Sequence, residues 1–194
     1  MGRSTRPLVR RLAIAAAAGG ALAGTLIPAM TVSAATISRP QFPQSLDFDQ
    51  SFVRDSLALH NQERARMGVQ PLAWDPQLAR DAAAYAHELA SKNAFRHSSP
   101  AARPNQGENL WMGTRGAFRT DEMYDGWLSE KNLYRAGVFP NVSRNGNWAA
   151  VGHYTQMVWR GSTRVGCAIS SSGSSDVLVC RYFPAGNVMG RAAV

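Results

Sequence analysis

The sequence predicts an α+β domain, and two observations support this prediction. Three segments before residue 135 carry apolar residues at helical spacing behind helix start signals, and two β-like runs near the carboxyl terminus are joined by a turn-rich stretch. The chain has 194 residues, of which 45% are hydrophobic and 18% are charged. That composition fits one soluble globular domain with enough apolar material for a sizeable core.

The first 34 residues have the pattern of a signal peptide. Four arginines precede an apolar, alanine-rich run, and Val32-Ser33-Ala34 offers a small-x-small cleavage site. A membrane anchor is the alternative. A membrane-spanning helix needs about 20 strongly apolar residues, however, and three glycines and Pro28 interrupt this run. We therefore expect export to the extracellular space or periplasm, with cleavage, no transmembrane segment afterwards and a flexible lead-in at residues 35–48.

The charge of the chain is moderately basic. Four of its 21 basic residues lie in the leader, which leaves 17 basic against 13 acidic residues, a balance of +4. No block of five or six like charges occurs and the basic residues are scattered, so we expect only weak attraction to anionic surfaces. The pattern predicts no nucleic-acid binding, and we expect a monomer.

The first helix should begin at Asp47 or Asp49 and end at Met67, because Gly68 can take the left-handed conformation that stops a helix. One face of this helix carries three polar residues on adjacent turns, His60, Asn61 and Arg64. Such a face could be a site, but it more often ties a helix to its neighbours by hydrogen bonds. We interpret it as structural.

The second helix has a strong start signal in Asp75-Pro76, an N-cap followed by proline at the first helical position. His87 lies between its apolar positions and should face solvent. The predicted core positions recur at helical spacing and are mostly small, namely Leu78, Ala79, Ala82, Ala83, Tyr85, Ala86, Leu89 and Ala90.

The stretch from Lys92 to Gly107 is loop-like and contains His97, and GENLW follows it with Glu108 before an apolar turn. Residues 111–120 also read as a loop, with two glycines and the aromatic residues Trp111 and Phe118.

A third helix should start near Thr120, with acidic residues in its first turn. Met123, Trp127, Glu130 and Tyr134 share one face of it at spacings of four, three and four. Glu130 then lies on an inward-facing aromatic stripe, where an unpaired charge would be costly, so it should have a partner.

The runs RVGCAIS and DVLVCRYF, joined by SSGSSD, predict a β-hairpin. If the register sets Cys167 opposite Cys180, Val165 faces Tyr182 and Ile169 faces Leu178, which pairs apolar residues with apolar residues. A disulfide between these two cysteines is then expected in an exported chain. PAGN at 184–187 should close the sheet with a turn, and the tail to Val194 should be short and loose.

Two segments, GHYTQMVW and VCRYFPAGN, together with GENLW and HNQERARMGVQPLAWD, resemble the CAP superfamily of cysteine-rich secretory, antigen 5 and pathogenesis-related class 1 proteins. The likeness spans roughly Val53 to Asn187. It implies a CAP domain over residues 49–190, built as a three-layer α-β-α sandwich around a small, mostly antiparallel sheet. It also implies a short helix in GHYTQMVW, which alternation alone leaves undecided. Relatives with further cysteines pair these two positions differently, so the family does not settle the disulfide.

The resemblance also implies a site. In CAP proteins two histidines and two glutamates converge in a central cleft, and the matching motif positions here are His97, Glu108, Glu130 and His153. Their separations match no local metal motif, so sequence spacing does not connect them. Two neutral imidazoles, His97 and His153, could bind Zn²⁺ or another divalent cation weakly, while the carboxylates orient the rings.

The expected function is that of a secreted, non-enzymatic CAP-domain protein that binds a lipid- or sterol-like hydrophobic molecule or an extracellular partner. Four aromatic residues, Trp111, Phe118, Tyr124 and Trp127, would allow an apolar groove beside the cleft, although such residues at helical spacing are more often core. Within the loop at residues 111–120, Trp111 and Phe118 are the expected ligand contacts. A metal-assisted hydrolase, or one using Ser98, Ser99 or Ser129 beside the tetrad, is the first alternative, although no nucleophile motif supports it. The second is an interaction scaffold whose tetrad is purely structural.

Overall fold

The structure is a computed structural model that describes residues 49–194. The predicted signal peptide at 1–34 and the lead-in at 35–48 lie outside the described residues. Within residues 49–194, none of the helices has the length and apolar character needed to cross a membrane.

Four strands form one sheet in the order β1-β3-β4-β2. The pairings of β4 with both its neighbours are antiparallel, and β1 runs parallel to β3. The strands are β1 at Ala73–Trp74, β2 at Gly107–Thr114, β3 at Arg164–Ser172 and β4 at Ser175–Phe183. The helices are α1 at Gln50–Arg66, α2 at Pro76–Ser91, α3 at Thr120–Ser129 and α4 at Gly152–Met157.

Helices cover both faces of the sheet, which confirms the predicted α-β-α sandwich. The apolar face of α2 packs on one side, where Leu110, Val177 and Val179 point towards it. Residues of α1, α3 and α4 pack on the other side, where Leu178 and Tyr182 are fully buried. Residues that face α2 alternate along β2 and β4 with residues that face α1, α3 and α4, because successive strand residues point to opposite faces of the sheet.

The β3–β4 hairpin has the predicted register. Cys167 pairs with Cys180 and is disulfide-bonded to it, and Val165 and Ile169 face Tyr182 and Leu178. The first two helices also match their sequence signals: the Asp75 side chain accepts from two backbone N–H groups of α2, and Gly68 has φ +64° just after α1.

Residues 107–114, predicted as a turn and a loop, instead form β2, the edge strand that pairs along its whole length with β4. The glycines that suggested a loop are required by packing. A Cβ at Gly107 would lie 2.0 Å from the Gln156 side chain, and one at Gly113 would lie 2.4 Å from the Trp111 ring.

The prediction of a loose tail is also wrong. Ala193 is fully buried, its carbonyl accepts from the Arg160 N–H, and the Phe139 N–H donates to the Arg191 carbonyl. The tail is held because it closes a third apolar cluster, formed mainly by residues 134–159, which sequence periodicity does not reveal.

The polar face of α1 is structural, as predicted. The Arg64 guanidinium is completely buried and donates to the carbonyls of Gln70, Met157, Trp159 and Ser162. Three of these bonds attach α1 to the end of α4 and the loop that follows it, and the bond to Gln70 fixes the turn after α1. Burial lowers the Arg64 pKa to about 10, so the group is still charged at neutral pH.

His60 is the neutral member of this face. Burial lowers the pKa of His60 to about 4, and the charge of Arg64 makes a smaller contribution in the same direction. A hydrogen bond to the Ser56 carbonyl acts to raise this pKa but does not outweigh burial. The ring therefore donates from Nδ1 to Ser56, 2.7 Å away, and accepts at Nε2 from the Tyr182 hydroxyl, 2.8 Å away.

Replacing Arg64 by Met should destabilise the protein by about 3 kcal/mol or more, because four buried carbonyl groups lose their donor. Chemical denaturation measures this loss. The control, Arg80→Met on the exposed face of α2, should change the free energy of unfolding by no more than about 0.5 kcal/mol. Equal effects of the two changes would contradict a structural role for Arg64.

Stability should fall as pH decreases from 6.5 towards 4 because of His60. In this range the unfolded chain binds a proton on His60, with its ordinary pKa of 6.5, and the folded chain does not until about pH 4. The loss amounts to at most about 3 kcal/mol. Urea titrations across this range should show a shallower pH dependence for His60→Gln than for wild type. His87→Gln, at an exposed position, should keep the wild-type slope.

Candidate functional site

The four predicted site residues form two histidine–glutamate pairs. His97 Nδ1 lies 2.6 Å from Glu108 Oε1, and His153 Nδ1 lies 2.6 Å from Glu130 Oε1. In both pairs the imidazole is the more exposed partner. The His97 side chain is 54% exposed against 0% for Glu108, and the His153 side chain is 32% exposed against 16% for Glu130.

Glu108 sits in β2 opposite Arg181 of β4, and this register builds the first pair. The Arg181 Nη2 atom lies 3.0 Å from Glu108 Oε2, and both side chains are buried. The Ser98 N–H donates to Oε1 and the Ser98 hydroxyl donates to Oε2. Glu108 therefore fixes the loop that carries His97 as well as the ring itself.

The Glu108 carboxylate stays ionised in spite of its burial. Burial acts to raise its pKa, but the hydrogen bonds from His97 and Ser98 and the charge of Arg181 outweigh it, so the pKa lies below the ordinary value. Because an ionised carboxylate only accepts hydrogen bonds, His97 Nδ1 is the donor in this pair.

Glu130 follows the last residue of α3 and opens a 3₁₀ turn, so it caps α3 rather than continuing the predicted helical stripe. The sequence predicted that Glu130 has a partner, and in the structure this partner is the beginning of α4. Glu130 Oε2 accepts from the backbone N–H groups of His153 and Tyr154, both at 3.0 Å, while Oε1 bonds the His153 ring. One carboxylate thus orients the short helix and its histidine together.

Two further contacts fix His153. Its ring stacks on Trp127 of α3, with centroids 5.8 Å apart and planes 13° from parallel. Its carbonyl accepts from Asn109 Nδ2, and the same amide group donates to the Tyr182 hydroxyl, which reaches His60. Trp127 is therefore core and also one wall of the site.

The two pairs approach the edge strand from opposite sides. Glu108 points towards the α2 layer with Arg181, whereas the next residue, Asn109, points towards the layer that holds α4 and His153. Within residues 49–194, no group of three or more His, Cys, Asp or Glu residues lies close enough together to hold a metal ion.

The donor chemistry of the pairs nevertheless suits a divalent ion. A carboxylate on Nδ1 selects the tautomer in which Nε2 carries a lone pair, the usual arrangement for a metal-binding histidine. No hydrogen-bond partner of either Nε2 atom occurs in the described part of the chain.

The three serines beside the tetrad have other partners than the histidines. Ser98 donates to Glu108, Ser99 accepts from the Ala102 N–H as a helix cap, and Ser129 donates to the Gly126 carbonyl. The described residues therefore contain no serine–histidine pair at this site of the kind that activates a hydroxyl nucleophile.

The predicted ligand residues Trp111 and Phe118 meet edge to face, with ring centroids 5.1 Å apart. Trp111 is partly buried against the core, and Phe118 is 43% exposed. Tyr124 and Trp127 are fully in the core, as their helical spacing indicated.

Sequence reasoning missed Arg181 and Asn109, and it considered Ser98 only as a possible nucleophile; all three residues bond directly to the histidine–glutamate pairs. Arg181 follows the paired Cys180, so recognising GENLW as a strand opposite it would have placed Glu108 beside a buried arginine. Ser98 and Asn109 act through contacts between segments, for which the sequence carries no local signal.

Comparisons with known proteins agree with the fold and the motifs. The model of the Cysteine-rich secretory protein family, CAP, matches residues 57–182. Pathogenesis-related protein 1C of Nicotiana tabacum is 38% identical over 144 residues, which cover 74% of this chain and 81% of the relative. Golgi-associated plant pathogenesis-related protein 1 of Homo sapiens is 36% identical over 140 residues, which cover 71% and 86%.

Among solved structures, that of NaASP2 with Zn²⁺ has the same fold, with a TM-score of 0.63 at 24% identity over 75% of this chain and 85% of that chain. The identity and coverage of the curated relatives, together with the family match over the two His–Glu pairs, lead to one conclusion: the chain belongs to the CAP family of cysteine-rich secretory proteins.

Proposed function

We propose that this protein is an exported, non-enzymatic CAP-domain binding protein whose histidines, His97 and His153, hold a divalent cation weakly. The main support for this proposal is the hydrogen bond of 2.6 Å between each imidazole Nδ1 and a carboxylate. Further hydrogen-bond donors hold each carboxylate in place. That leaves the two Nε2 atoms available as ligands. The family description and the arginine-led apolar leader support export.

A cation at this site would take two nitrogen ligands from the protein and complete its coordination with water or a bound ligand. Glu108 and Glu130 would serve as orienting groups, because their oxygens already accept from serine hydroxyl, backbone N–H and guanidinium groups. Two ligands give a weak, exchangeable site. Zn²⁺ is the natural probe, since the related fold of NaASP2 was solved with that ion.

We propose that a hydrophobic ligand, lipid- or sterol-like, contacts Trp111 and Phe118 beside the edge strand. This second part rests on an exposed phenylalanine that packs against a tryptophan at the outer end of β2. An extracellular protein could use the same two rings. Hydrolysis is the alternative that the occupied serine hydroxyls disfavour, and a metal-dependent hydrolase would reveal itself by turnover.

Zn²⁺ should bind the metal-stripped protein with one site and a Kd in the micromolar range, and the double variant His97→Ala, His153→Ala should lose this binding. Isothermal titration calorimetry measures both. Lowering the pH should weaken binding, because protons compete with the ion for the imidazole nitrogen. His87→Ala, which removes an exposed histidine of α2, should bind as wild type does.

Absence of binding in the wild type would leave the tetrad as a structural network and exclude the metal proposal. Loss of binding in His87→Ala would show that the ion occupies the surface instead. Ester or peptide turnover that depends on Zn²⁺ and disappears with Glu108→Gln would replace the binding function by hydrolysis.

The double variant Trp111→Ala, Phe118→Ala should weaken binding of a fluorescent fatty acid and a fluorescent sterol by about tenfold or more, because two apolar rings are lost from the contact. Circular dichroism checks that the variant is folded. Phe95→Ala, at a phenylalanine that is 58% exposed, is the matched control. Equal affinities in all three proteins would exclude the 111–120 segment as the ligand site.

A further inference from the structure

Four large apolar side chains are exposed together at the end of the molecule formed by the last third of the chain. They are Val138 at 51%, Trp148 at 41%, Val188 at 38% and Met189 at 62% exposure. We refer to these four residues as the C-terminal apolar patch. Single exposed apolar residues are ordinary on protein surfaces, but a group of them on adjoining segments indicates an interaction surface.

Hydrogen bonds and ring contacts hold the segments of this patch together. Val138 forms an antiparallel bridge with Ala192, and Phe139 exchanges backbone hydrogen bonds with Gly190 and Arg191. The Trp148 ring lies 5.1 Å from the ring of Phe139, which is itself fully buried. The patch is thus an exposed extension of the buried apolar cluster that contains Phe139, and this cluster fixes its segments.

Exposed arginines lie on the same segments or are hydrogen-bonded to them. Arg135 donates its N–H to Val142, Arg160 donates its N–H to Ala193, and Arg191 precedes the bridge residue Ala192. Arg144 stands on the same loop and donates to the Tyr134 carbonyl. All four side chains project from exposed residues, and none forms an ion pair within residues 49–194.

Acidic groups are scarce around this surface. Residues 131–194 contain seven Lys and Arg, of which Lys131, Arg164 and Arg181 form ion pairs and the four arginines named above do not. The same range contains a single acidic residue, Asp176, which is buried in the β3–β4 hairpin and bonded to Ser171 and Gly116. The neighbouring carboxylates have their own partners: Glu63 pairs with Arg66 and Lys131, and Glu130 with His153. Arginines that look scattered in the sequence therefore form an uncompensated positive surface in the fold.

We propose that the C-terminal apolar patch and its arginines dock the protein on an anionic lipid bilayer. The arginines would meet the lipid phosphates, and Trp148, Met189 and the two valines would enter the headgroup region. A soluble polyanion would be recognised by the arginines alone and would leave the exposed apolar side chains in water. Exposed apolar residues on the same segments as unpaired arginines therefore favour a membrane.

The test is sedimentation of the purified protein, its amino terminus determined by mass spectrometry, with two kinds of vesicle. Binding should occur with phosphatidylcholine–phosphatidylglycerol vesicles and be absent with phosphatidylcholine alone. The triple variant Arg135→Gln, Arg160→Gln, Arg191→Gln should lower the partition coefficient by roughly a hundredfold. The triple variant Arg54→Gln, Arg80→Gln, Arg115→Gln removes the same charge elsewhere and should change it by no more than about threefold.

The apolar part is tested by Val188→Ser with Met189→Ser, which leaves the arginines in place and should weaken vesicle binding by about tenfold. Trp148→Phe should abolish most of the vesicle-induced shift in tryptophan emission while keeping a ring against Phe139.

Equal losses of vesicle binding in the two triple arginine variants would overturn the proposal and leave net charge as the cause. Unchanged vesicle binding of the serine variant, together with competition by heparin, would overturn it and indicate a soluble polyanion as the ligand. None of these residues belongs to the histidine–glutamate pairs, so the outcome is independent of the metal and ligand proposals.

Discussion

The pairing of β2 with β4 is the constraint on which the rest of the structure depends. Eight successive residues of β2 lie in register with β4, and this register carries the core on both faces of the sheet. It also sets Glu108 against Arg181 and sends Asn109 to the His153 carbonyl. A shift by one residue would exchange the two faces, burying the polar pair against α3 and turning Leu110 away from α2.

Buried charges make that register specific. Glu108 and Arg181 would each be costly to bury alone, and an ion pair in the interior repays the cost only when the remaining donors and acceptors are satisfied. Ser98 and His97 supply the further donors to the carboxylate, whereas the buried Arg181 Nε has no hydrogen-bond partner within residues 49–194, so the pair is satisfied on the Glu108 side only. Arg64 illustrates the same requirement on α1, since its donors are used by four carbonyl groups from two separate segments, the turn after α1 and residues 157–162. Such buried charged groups fix the relative positions of the segments that they join more than they add to the net stability of the fold.

The sequence predicted the features that have local causes. Capping by Asp75, the helix stop at Gly68 and the cysteine register of the hairpin each depend on a few neighbouring residues, and each is confirmed. β2 was missed because Gly107 and Gly113 are typical of a loop. Gly107 is needed because the Gln156 side chain of α4 occupies the space of a Cβ, and Gly113 is needed because the Trp111 ring, two residues earlier in the same strand, does so.

The candidate site divides in the same way. Its four members came from motif resemblance, and the expected partner of Glu130 followed from the cost of an unpaired buried charge. That Glu130 would bond two backbone N–H groups of α4, or that Ser98 would serve Glu108, depends on how separate segments meet. The same holds for the arginines around Trp148, because no two of them are neighbours in the sequence.

The arrangement of the two pairs has a physical consequence for the proposed cation. His97 lies on a loop fixed to the α2 side of the sheet by Glu108, while His153 begins a helix of the opposite layer and is fixed by Glu130. An ion held by both imidazoles would join two layers that otherwise meet across the open edge of β2. Since a ligand that binds only the native state stabilises it by RT ln(1 + [L]/Kd), an ion at a concentration near its Kd would stabilise this edge only slightly. A cation bound as weakly as we propose would therefore not be a structural metal on which folding depends.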